Sequence, residues 1–249
     1  MQLRLRNLLL ACWLSILAAT VNADGVSFGE VNVSATLPEL VGEESAGRFE
    51  GVIGPDENIE WELYVPESYD PASPAGLMVY ISPSDSGGIP KGWKDVMDVN
   101  NMIWIAANRS GNRTRVARRV SYALFAPAVV ARDYEINIAR VFVSGFSGGG
   151  RVASMVAPEY PTVFKGAIFI CGVNFWGNRE PDQLGVVQAN RYVFLTGRED
   201  FNRDETRSAY KSYKKAGAEN VLLMDIGGMD HRNPSAKRLA EAIAFLDGT

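Results

Sequence analysis

The sequence predicts an α/β fold of three layers, with a mostly parallel central sheet and helices on both of its faces. Two observations carry this prediction. Apolar runs of five to eight residues alternate with segments of helical pattern along most of the chain, which is typical of βαβ units. Most of these runs are apolar throughout, as expected of parallel strands that are buried on both faces. Functional side chains should therefore follow the carboxyl ends of the strands.

The elements can be assigned in chain order. Strands are predicted at residues 59–65, 77–82, 102–107, 139–144, 164–171, 192–196 and 221–226. Helices are predicted over residues 116–134, from Arg151 onward, over 206–216 and over 235–246. We expect the first helix to kink or break at Pro127, and the helix at 206–216 to stop at Gly217. Residues 26–49 have no clear period and are candidates for antiparallel edge strands.

Residues 1–23 have the pattern of a secretory signal peptide. Arg4 and Arg6 precede an apolar stretch at residues 8–19, and Val21-Asn22-Ala23 offers compact residues at the positions that signal peptidase reads. The apolar stretch is shorter than the roughly 20 residues needed to span a bilayer. We therefore expect cleavage after Ala23, a secreted or periplasmic protein, and no membrane anchor after cleavage. Residues 24–249 are expected to form a single domain.

The charge balance argues against a nucleic-acid partner. Loss of Arg4 and Arg6 lowers the number of basic residues from 25 to 23 against 29 acidic residues, a net charge of −6. Nucleic-acid-binding proteins usually carry a basic surplus. Cys171 would be the one cysteine after cleavage, so an internal disulfide is excluded. We interpret Cys171 as a buried apolar residue.

A candidate nucleophile follows the predicted strand at residues 139–144. The sequence GFSGG at 145–149 places Ser147 in a G-x-S-x-G motif between a strand and a helix. Glycines two positions before and after the serine allow a tight turn that exposes the hydroxyl. The N-terminus of the following helix would face a developing oxyanion. Ser147 is therefore predicted to be a catalytic nucleophile.

The base and the acid follow the last two strands. His231, the one histidine of the chain, lies in the loop after residues 221–226. Asp200 follows the strand at 192–196 and is the preferred acid. Asp204 is expected to begin the next helix, because an acidic residue near a helix N-terminus stabilises the helix. Glu199 is the third candidate for the catalytic acid. The order Ser147, Asp200, His231 is that of the G-x-S-x-G hydrolases.

Two donors are expected to stabilise the oxyanion. The first is the backbone N–H of Gly148, which follows the nucleophile. The second should come from the loop after residues 77–82, where Pro83 has no N–H. We therefore assign the second donor to Ser84.

These motifs together resemble a known family. From about residue 59 onward the chain resembles the esterase branch of the α/β-hydrolase superfamily, which includes secreted polyhydroxybutyrate depolymerase-like and feruloyl esterase-like enzymes. The resemblance rests on VSGFSGG at 143–149, on Thr196-Gly197 before Asp200, and on GMDH at 228–231. It implies a three-layer α/β-hydrolase fold and a small-molecule or polymer-borne ester as substrate. The family usually has His-Gly in the oxyanion loop, where this chain has Ser82-Pro83.

Other interpretations stay open. A small serine peptidase of the same fold and a non-catalytic surface- or carbohydrate-binding relative are the alternatives. Four aromatic residues near strand ends are candidates for a substrate pocket, with core packing as an equal alternative: Trp93, Phe146, Phe175 and Trp176. Four arginines form a basic run that is better explained as a solvated helix face than as an anion site: Arg113, Arg115, Arg118 and Arg119. The sequence shows no metal-ligand cluster or cofactor motif, so neither a metal nor a cofactor is expected.

Overall fold

The computed structural model describes residues 27–176 and 179–248, and its centre is a sheet of eight strands in the order β1-β2-β4-β3-β5-β6-β7-β8. The strands are β1 (Gly29–Ala35), β2 (Ile59–Val65), β3 (Ala75–Ile81), β4 (Met102–Ala107), β5 (Ile136–Phe146), β6 (Gly166–Ile170), β7 (Arg191–Gly197) and β8 (Asn220–Ile226). The β1–β2 and β2–β4 pairs are antiparallel, and every other pair is parallel. Strands β3 to β8 therefore end at one common edge of the sheet.

Helices lie on both faces of this sheet. They are α1 (Leu37–Val41), α2 (Glu43–Ala46), α3 (Lys94–Val99), α4 (Val116–Val130), α5 (Gly148–Glu159), α6 (Leu184–Ala189), α7 (Arg203–Lys215) and α8 (Ala236–Asp247). Helices α4, α5 and α7 share one buried apolar cluster, while α3 and α8 share a second cluster on the other face. This arrangement confirms the predicted three layers.

Strand β3 shows why its sequence is apolar throughout. Leu77 and Val79 belong to the cluster under α4 and α5, while Met78 and Tyr80 belong to the cluster under α3 and α8. All four side chains are at least 96% buried. Because successive strand residues point to opposite faces, a strand covered on both faces has no position left for a polar side chain.

Several predicted boundaries differ from the structure. Helix α4 continues through Pro127 and ends at Val130, since Pro127 lies in the last turn and its carbonyl accepts the N–H of Ala131. Helix α5 begins at Gly148, three residues before the predicted Arg151, because the turn at the serine feeds directly into it. Helix α7 likewise begins at Arg203 rather than at 206. Short helices such as α3 and α6 were not predicted, since six residues hold too few turns for a visible period.

The segment at residues 26–49 contributes one antiparallel edge strand, β1, followed by α1 and α2. The predicted signal peptide at 1–23 and its cleavage site, together with Val26, lie outside the described residues. In the part of the chain that the structure covers, no helix combines the length and the apolar character needed to span a bilayer.

Trp93 belongs to the buried core. Its side chain is 1% exposed, and its indole N–H donates to the carbonyl of Pro234 at 3.1 Å. Its ring packs edge-on against Tyr80 and Trp104, with centroids 5.9 and 5.6 Å away. Trp93 therefore packs within the aromatic cluster under α3, which agrees with its interpretation as a core residue.

Candidate active site

Ser147 lies at the turn between β5 and α5, in a backbone conformation that few residues adopt. Its φ is 55° and its ψ is −119°, and a positive φ in a non-glycine residue is strained by about 1–3 kcal/mol. The N–H of Ser147 donates to the carbonyl of Ile170 at 2.8 Å, which ties the turn to the end of β6. The hydrogen bond to the end of β6 thus stabilises a backbone conformation of Ser147 that is unfavourable by itself.

The two glycines of the motif are required by close backbone packing. A Cβ placed on Gly145 would lie 2.5 Å from the backbone of Gly149, and one on Gly149 would lie 1.8 Å from the carbonyl oxygen of Ile81. No side chain fits at either position without moving backbone. The expectation that the residues two positions before and after the serine lack bulk therefore has a direct structural reason.

The structure brings Ser147, His231 and Asp200 together in a chain of hydrogen bonds. The Nε2 atom of His231 lies 2.9 Å from the Ser147 hydroxyl oxygen, and its Nδ1 atom lies 2.7 Å from Oδ1 of Asp200. The three residues follow β5, β8 and β7, whose ends lie along one edge of the sheet. Parallel strands thereby bring together residues up to 84 positions apart in the sequence.

Asp200 is buried, and both of its carboxylate oxygens accept hydrogen bonds. Its second carboxylate oxygen accepts the Thr196 hydroxyl at 2.8 Å, and its first also accepts the N–H of Asn202 at 3.0 Å. Burial raises the pKa of the carboxyl, but the hydrogen bonds from Asn202, His231 and Thr196 outweigh burial and leave the pKa below its usual value. Asp200 is therefore ionised at neutral pH and can hold one tautomer of the imidazole.

Thr196 is a site residue that the sequence did not reveal. Its side chain is fully buried at the end of β7, four residues before Asp200. A polar residue at the end of an otherwise apolar strand was the available signal. The hydroxyl fixes the rotation of the Asp200 carboxylate, so that Oδ1 is left to face His231.

Cys171 lies directly beneath the acid and the base. Its sulfur, an Asp200 oxygen and a His231 nitrogen lie within 4.8 Å of one another, the one trio among the described residues that is arranged to hold a metal ion. Burial first, and then the charge of Asp200, raise the pKa of the thiol. The thiol is therefore protonated at neutral pH, and it donates to the backbone carbonyl of Arg232 at 3.6 Å. Cys171 is buried as predicted, but it also contacts the triad.

Three other acidic residues near the triad do not take part in its chain of hydrogen bonds. Asp204 lies in the first turn of α7, as predicted. Asp230 pairs with Arg232 at 3.2 Å, on the exposed side of the loop. The N–H of Glu199 donates to the carbonyl of Met229, which joins the acid loop to the base loop through backbone alone.

Two ion pairs join the segments that carry the triad. Arg151 of α5 pairs with Glu205 of α7. Arg203 of α7 donates to Asp225 of β8 through two nitrogens, at 3.0 and 2.8 Å. The first pair links the helix after Ser147 to the helix after Asp200, and the second links that helix to the strand before His231.

The predicted oxyanion donors have different surroundings. Gly148 begins α5 and follows Ser147 directly, as the predicted first donor should. The Ser84 N–H donates within its own loop, to the hydroxyl of Ser82 at 3.1 Å. The structure therefore gives this N–H another acceptor, and Pro83 between them has no N–H.

The basic run divides into different environments. Arg119 is 3% exposed and donates to the carbonyls of Ser82 and Gly148, at 2.9 and 3.4 Å. Arg119 thus links the loop after β3 to α5 from inside the protein. The prediction that it lies on a solvated helix face was wrong. Arg118 pairs with Glu57, while Arg113 and Arg115 are exposed.

Two of the candidate pocket aromatics line a cavity that is separate from the triad. Phe175 and Trp176 border a space of about 950 Å³ between α4, α5 and α7, with Val116, Val120 and Met155 among the other lining residues. None of its lining residues is a member of the triad. Phe146 lies at the triad instead, with its ring centroid 4.9 Å from that of His231.

Comparisons with known proteins find similarity in structure. No protein-family model and no curated protein sequence matches the chain. A ferulic acid esterase superposes with a TM-score of 0.61, at 15% identity over 88% of this chain and 100% of that one. A propionate-bound thermophilic esterase from Thermogutta terrifontis gives a TM-score of 0.56, at 20% identity over 78% of this chain and 89% of that one.

A peptidase has a similar fold within a larger molecule. A putative dipeptidyl aminopeptidase IV from Bacteroides ovatus gives a TM-score of 0.59 at 16% identity, over 90% of this chain. The match spans only 36% of the peptidase chain. Esterases and a peptidase are thus both among the structural neighbours. The order of the sheet and its likeness to these structures show that the chain has the α/β-hydrolase fold.

Proposed function

We propose that this protein is a serine hydrolase that cleaves carboxylic esters through an acyl-enzyme. The observation that carries the proposal is the chain of hydrogen bonds from Ser147 through His231 to Asp200. It joins a nucleophile to a base and the base to an orienting carboxylate, which is the arrangement that activates a serine hydroxyl. The substrate class is a small-molecule or polymer-borne ester, with no cofactor required.

The reaction follows from these contacts. Nε2 of His231 takes the hydroxyl proton as Ser147 attacks the acyl carbon, and the Gly148 N–H donates to the oxygen that becomes negative. The imidazolium then gives the proton to the departing alkoxide, which leaves as an alcohol. Water repeats the cycle on the acyl-enzyme and releases the acid. Asp200 stabilises the imidazolium and holds the tautomer with the proton on Nδ1.

Labelling with a fluorophosphonate probe tests for an active nucleophile. The probe phosphonylates an activated serine, so the wild-type protein should be labelled and Ser147→Ala should not. Ser208→Ala is a matched control, because it removes an exposed serine of α7 outside the triad and should leave labelling unchanged. Unlabelled wild-type protein would instead support a non-catalytic surface- or carbohydrate-binding role.

A serine peptidase is the second candidate, favoured by the likeness to the dipeptidyl peptidase-like structure. A panel of matched ester and amide substrates with the same acyl group separates the two. An esterase should turn over the esters and leave the amides nearly intact. Comparable values of kcat/KM for the two series would assign the protein to the peptidases.

We also propose that the protein is exported, with Asp24 as the first residue of the mature chain. The signal-like pattern at residues 1–23 supports this proposal. The intact mass of the protein recovered outside the cytoplasm of its host tests it. A retained Met1 in exported protein would contradict cleavage.

A further inference from the structure

The loop after β3 lacks a free donor at the positions where the fold usually supplies one. Pro83 has no N–H, and the Ser84 N–H is engaged by the hydroxyl of Ser82. The hydroxyls of Ser82 and Ser84 also lie 2.9 Å apart, which closes a small local turn. To donate to an oxyanion, the Ser84 N–H would have to give up its present acceptor.

A different side chain lies beside the first donor. Asn112, in the loop after β4, lies against Gly148 so closely that a Cβ placed on that glycine would be 2.1 Å from Oδ1 and 3.0 Å from Nδ2. The carboxamide therefore fills the space next to the residue that directly follows Ser147. A side chain at position 148 would have to move the Asn112 carboxamide out of this space.

The loop that carries Asn112 is fixed by its backbone. The Asn112 N–H donates to the carbonyl of Pro83 at 2.9 Å, and the N–H of Gly111 donates to Asp85 at 3.0 Å. These bonds hold the loop after β4 against the oxyanion loop. The side chain contributes to neither of these bonds, so the loop is fixed without using the polar atoms of the Asn112 carboxamide.

The Asn112 carboxamide is available for a ligand. The residue is exposed, and its side-chain amide has no hydrogen-bond partner among residues 27–176 and 179–248. A carboxamide offers two N–H donors, and side-chain amides of asparagine serve as oxyanion donors in acyl transfer. Rotation of the terminal amide decides whether nitrogen or oxygen faces the site, and a developing negative charge selects the nitrogen.

The geometry points to the Asn112 side-chain amide as the second oxyanion donor, in place of the Ser84 N–H. This inference rests on the proposed function, because it assigns a role in the same acyl transfer. Gly148 would donate from its backbone and Asn112 from its side chain, on adjacent sides of one oxygen. This chain has Ser82-Pro83 where the family it resembles usually has His-Gly. A donor from the loop after β4 would then take the place of a donor from the loop after β3.

Two substitutions test the assignment. Asn112→Ala removes the amide but keeps the backbone N–H that binds Pro83, and Asn112→Asp keeps the shape but replaces the donor with a negative charge. We expect Asn112→Ala to lower kcat by about 100- to 1,000-fold with little change in KM, and Asn112→Asp to lower it at least as much. Affinity for a boronic acid that forms a tetrahedral adduct with the serine should fall in parallel, because the adduct presents the oxyanion.

Arg113→Ala is the matched control, since Arg113 is the exposed neighbour of Asn112 in the same loop, and its kcat should stay within about threefold of wild type. Unfolding temperatures of all variants identify any loss that comes from folding, and Asn112→Asp serves if Asn112→Ala does not fold. An unchanged kcat in Asn112→Ala, or a raised KM with unchanged kcat, overturns the assignment and leaves the Ser84 N–H as second donor. Full activity in Ser147→Ala would instead overturn the proposed function itself.

Discussion

Phe201 stacks on the ring of His231 although most of its own side chain faces solvent. The two ring centroids are 4.0 Å apart and the planes differ by 27°, while Phe201 is 78% exposed. Phe146 also contacts this imidazole, with centroids 4.9 Å apart and planes 40° apart. The imidazole thus contacts two phenyl rings, and one of them is largely exposed to solvent.

Phe201→Ala should lower kcat by about two- to tenfold, because aromatic pairs of this kind contribute about 0.5–1.5 kcal/mol. Without the ring, the imidazole loses a surface that keeps it in the plane of its two hydrogen bonds. Steady-state kinetics on one ester checks the prediction. Phe28→Ala is the control, since Phe28 is also exposed but precedes the edge strand β1. An equal loss in both variants would exclude a role for the stack.

Asp200→Asn should lower kcat by about 10⁴-fold, because an amide in that place no longer selects the tautomer that leaves Nε2 free to accept a proton. Asp204→Asn should leave kcat unchanged and destabilise the fold by less than about 1 kcal/mol, since Asp204 only favours the N-terminus of α7. Kinetics and thermal unfolding of the two variants measure both effects. The reverse pattern would move the role of the acid to Asp204.

The sequence predicted the placement of Ser147, Asp200 and His231 because each lies just after a strand whose apolar run is plain. It did not reveal the contacts of Phe201 and Asn112, which join different loops, or the hydrogen bond from Thr196 to Asp200. A polar residue at the end of an apolar strand draws attention to Thr196, but this pattern does not show that the hydroxyl faces a carboxylate. Contacts between residues that are distant in the sequence appear only in the folded structure, where the ends of β4, β5, β7 and β8 lie along one edge of the sheet.

The same limit explains Arg119. Four arginines within seven positions look like a solvated face, since charge patterns reflect solvation on average. The structure buries one of them because two carbonyl oxygens near the serine turn, those of Ser82 and Gly148, accept its N–H groups. Burial of a charged residue depends on such acceptors, and they come from segments far away in the sequence.

The ion pair between Asp225 and Arg203 should make stability depend on pH. Hydrogen bonds from Arg203 and Arg207 lower the pKa of Asp225 below its usual value, outweighing partial burial. A carboxyl whose pKa is lower in the folded state stabilises the fold fully above its unfolded pKa of about 3.9. The contribution is lost as the pH falls through the folded pKa.

Unfolding temperatures of wild type and Asp225→Asn between neutral pH and pH 2 measure this contribution. The variant should be less stable at neutral pH, and the difference should shrink below about pH 4. Glu44→Gln is the control, because Glu44 is 92% exposed in its pair with Arg48 and should change stability little at any pH. A difference for Asp225→Asn that is constant with pH would mean that its charge is not involved.

Chelators should leave ester hydrolysis unchanged. The trio of Cys171, Asp200 and His231 has the spacing of a metal site, but the Asp200 carboxylate and the imidazole are bound to each other, and the raised pKa of Cys171 keeps the thiol protonated. A metal binds the thiolate rather than the thiol. Activity measured before and after treatment with EDTA checks this expectation. Loss of activity that a divalent ion restores would show that the serine mechanism is incomplete.

His231 allows the sharpest test, because it is the single histidine of the chain. Only a neutral imidazole can accept the proton of Ser147, so kcat/KM should rise with pH as this ring loses its proton. The ring also gives the one imidazole signal in the NMR spectrum of the protein. A rise of kcat/KM with pH that is present in the wild-type protein and absent from variants without this ring would therefore assign the role of base to His231.

His231→Ala should remove the signal and nearly all turnover, leaving the residual rate that binding and the oxyanion donors provide. His231→Gln is a useful second variant, since it keeps a polar side chain of similar length but cannot act as a base near neutral pH. Thermal unfolding of both variants shows whether they still fold. If a pH-dependent rise in kcat/KM persists in either variant with its midpoint unchanged, another group is the base, and the contact between His231 and Ser147 at 2.9 Å is structural rather than catalytic.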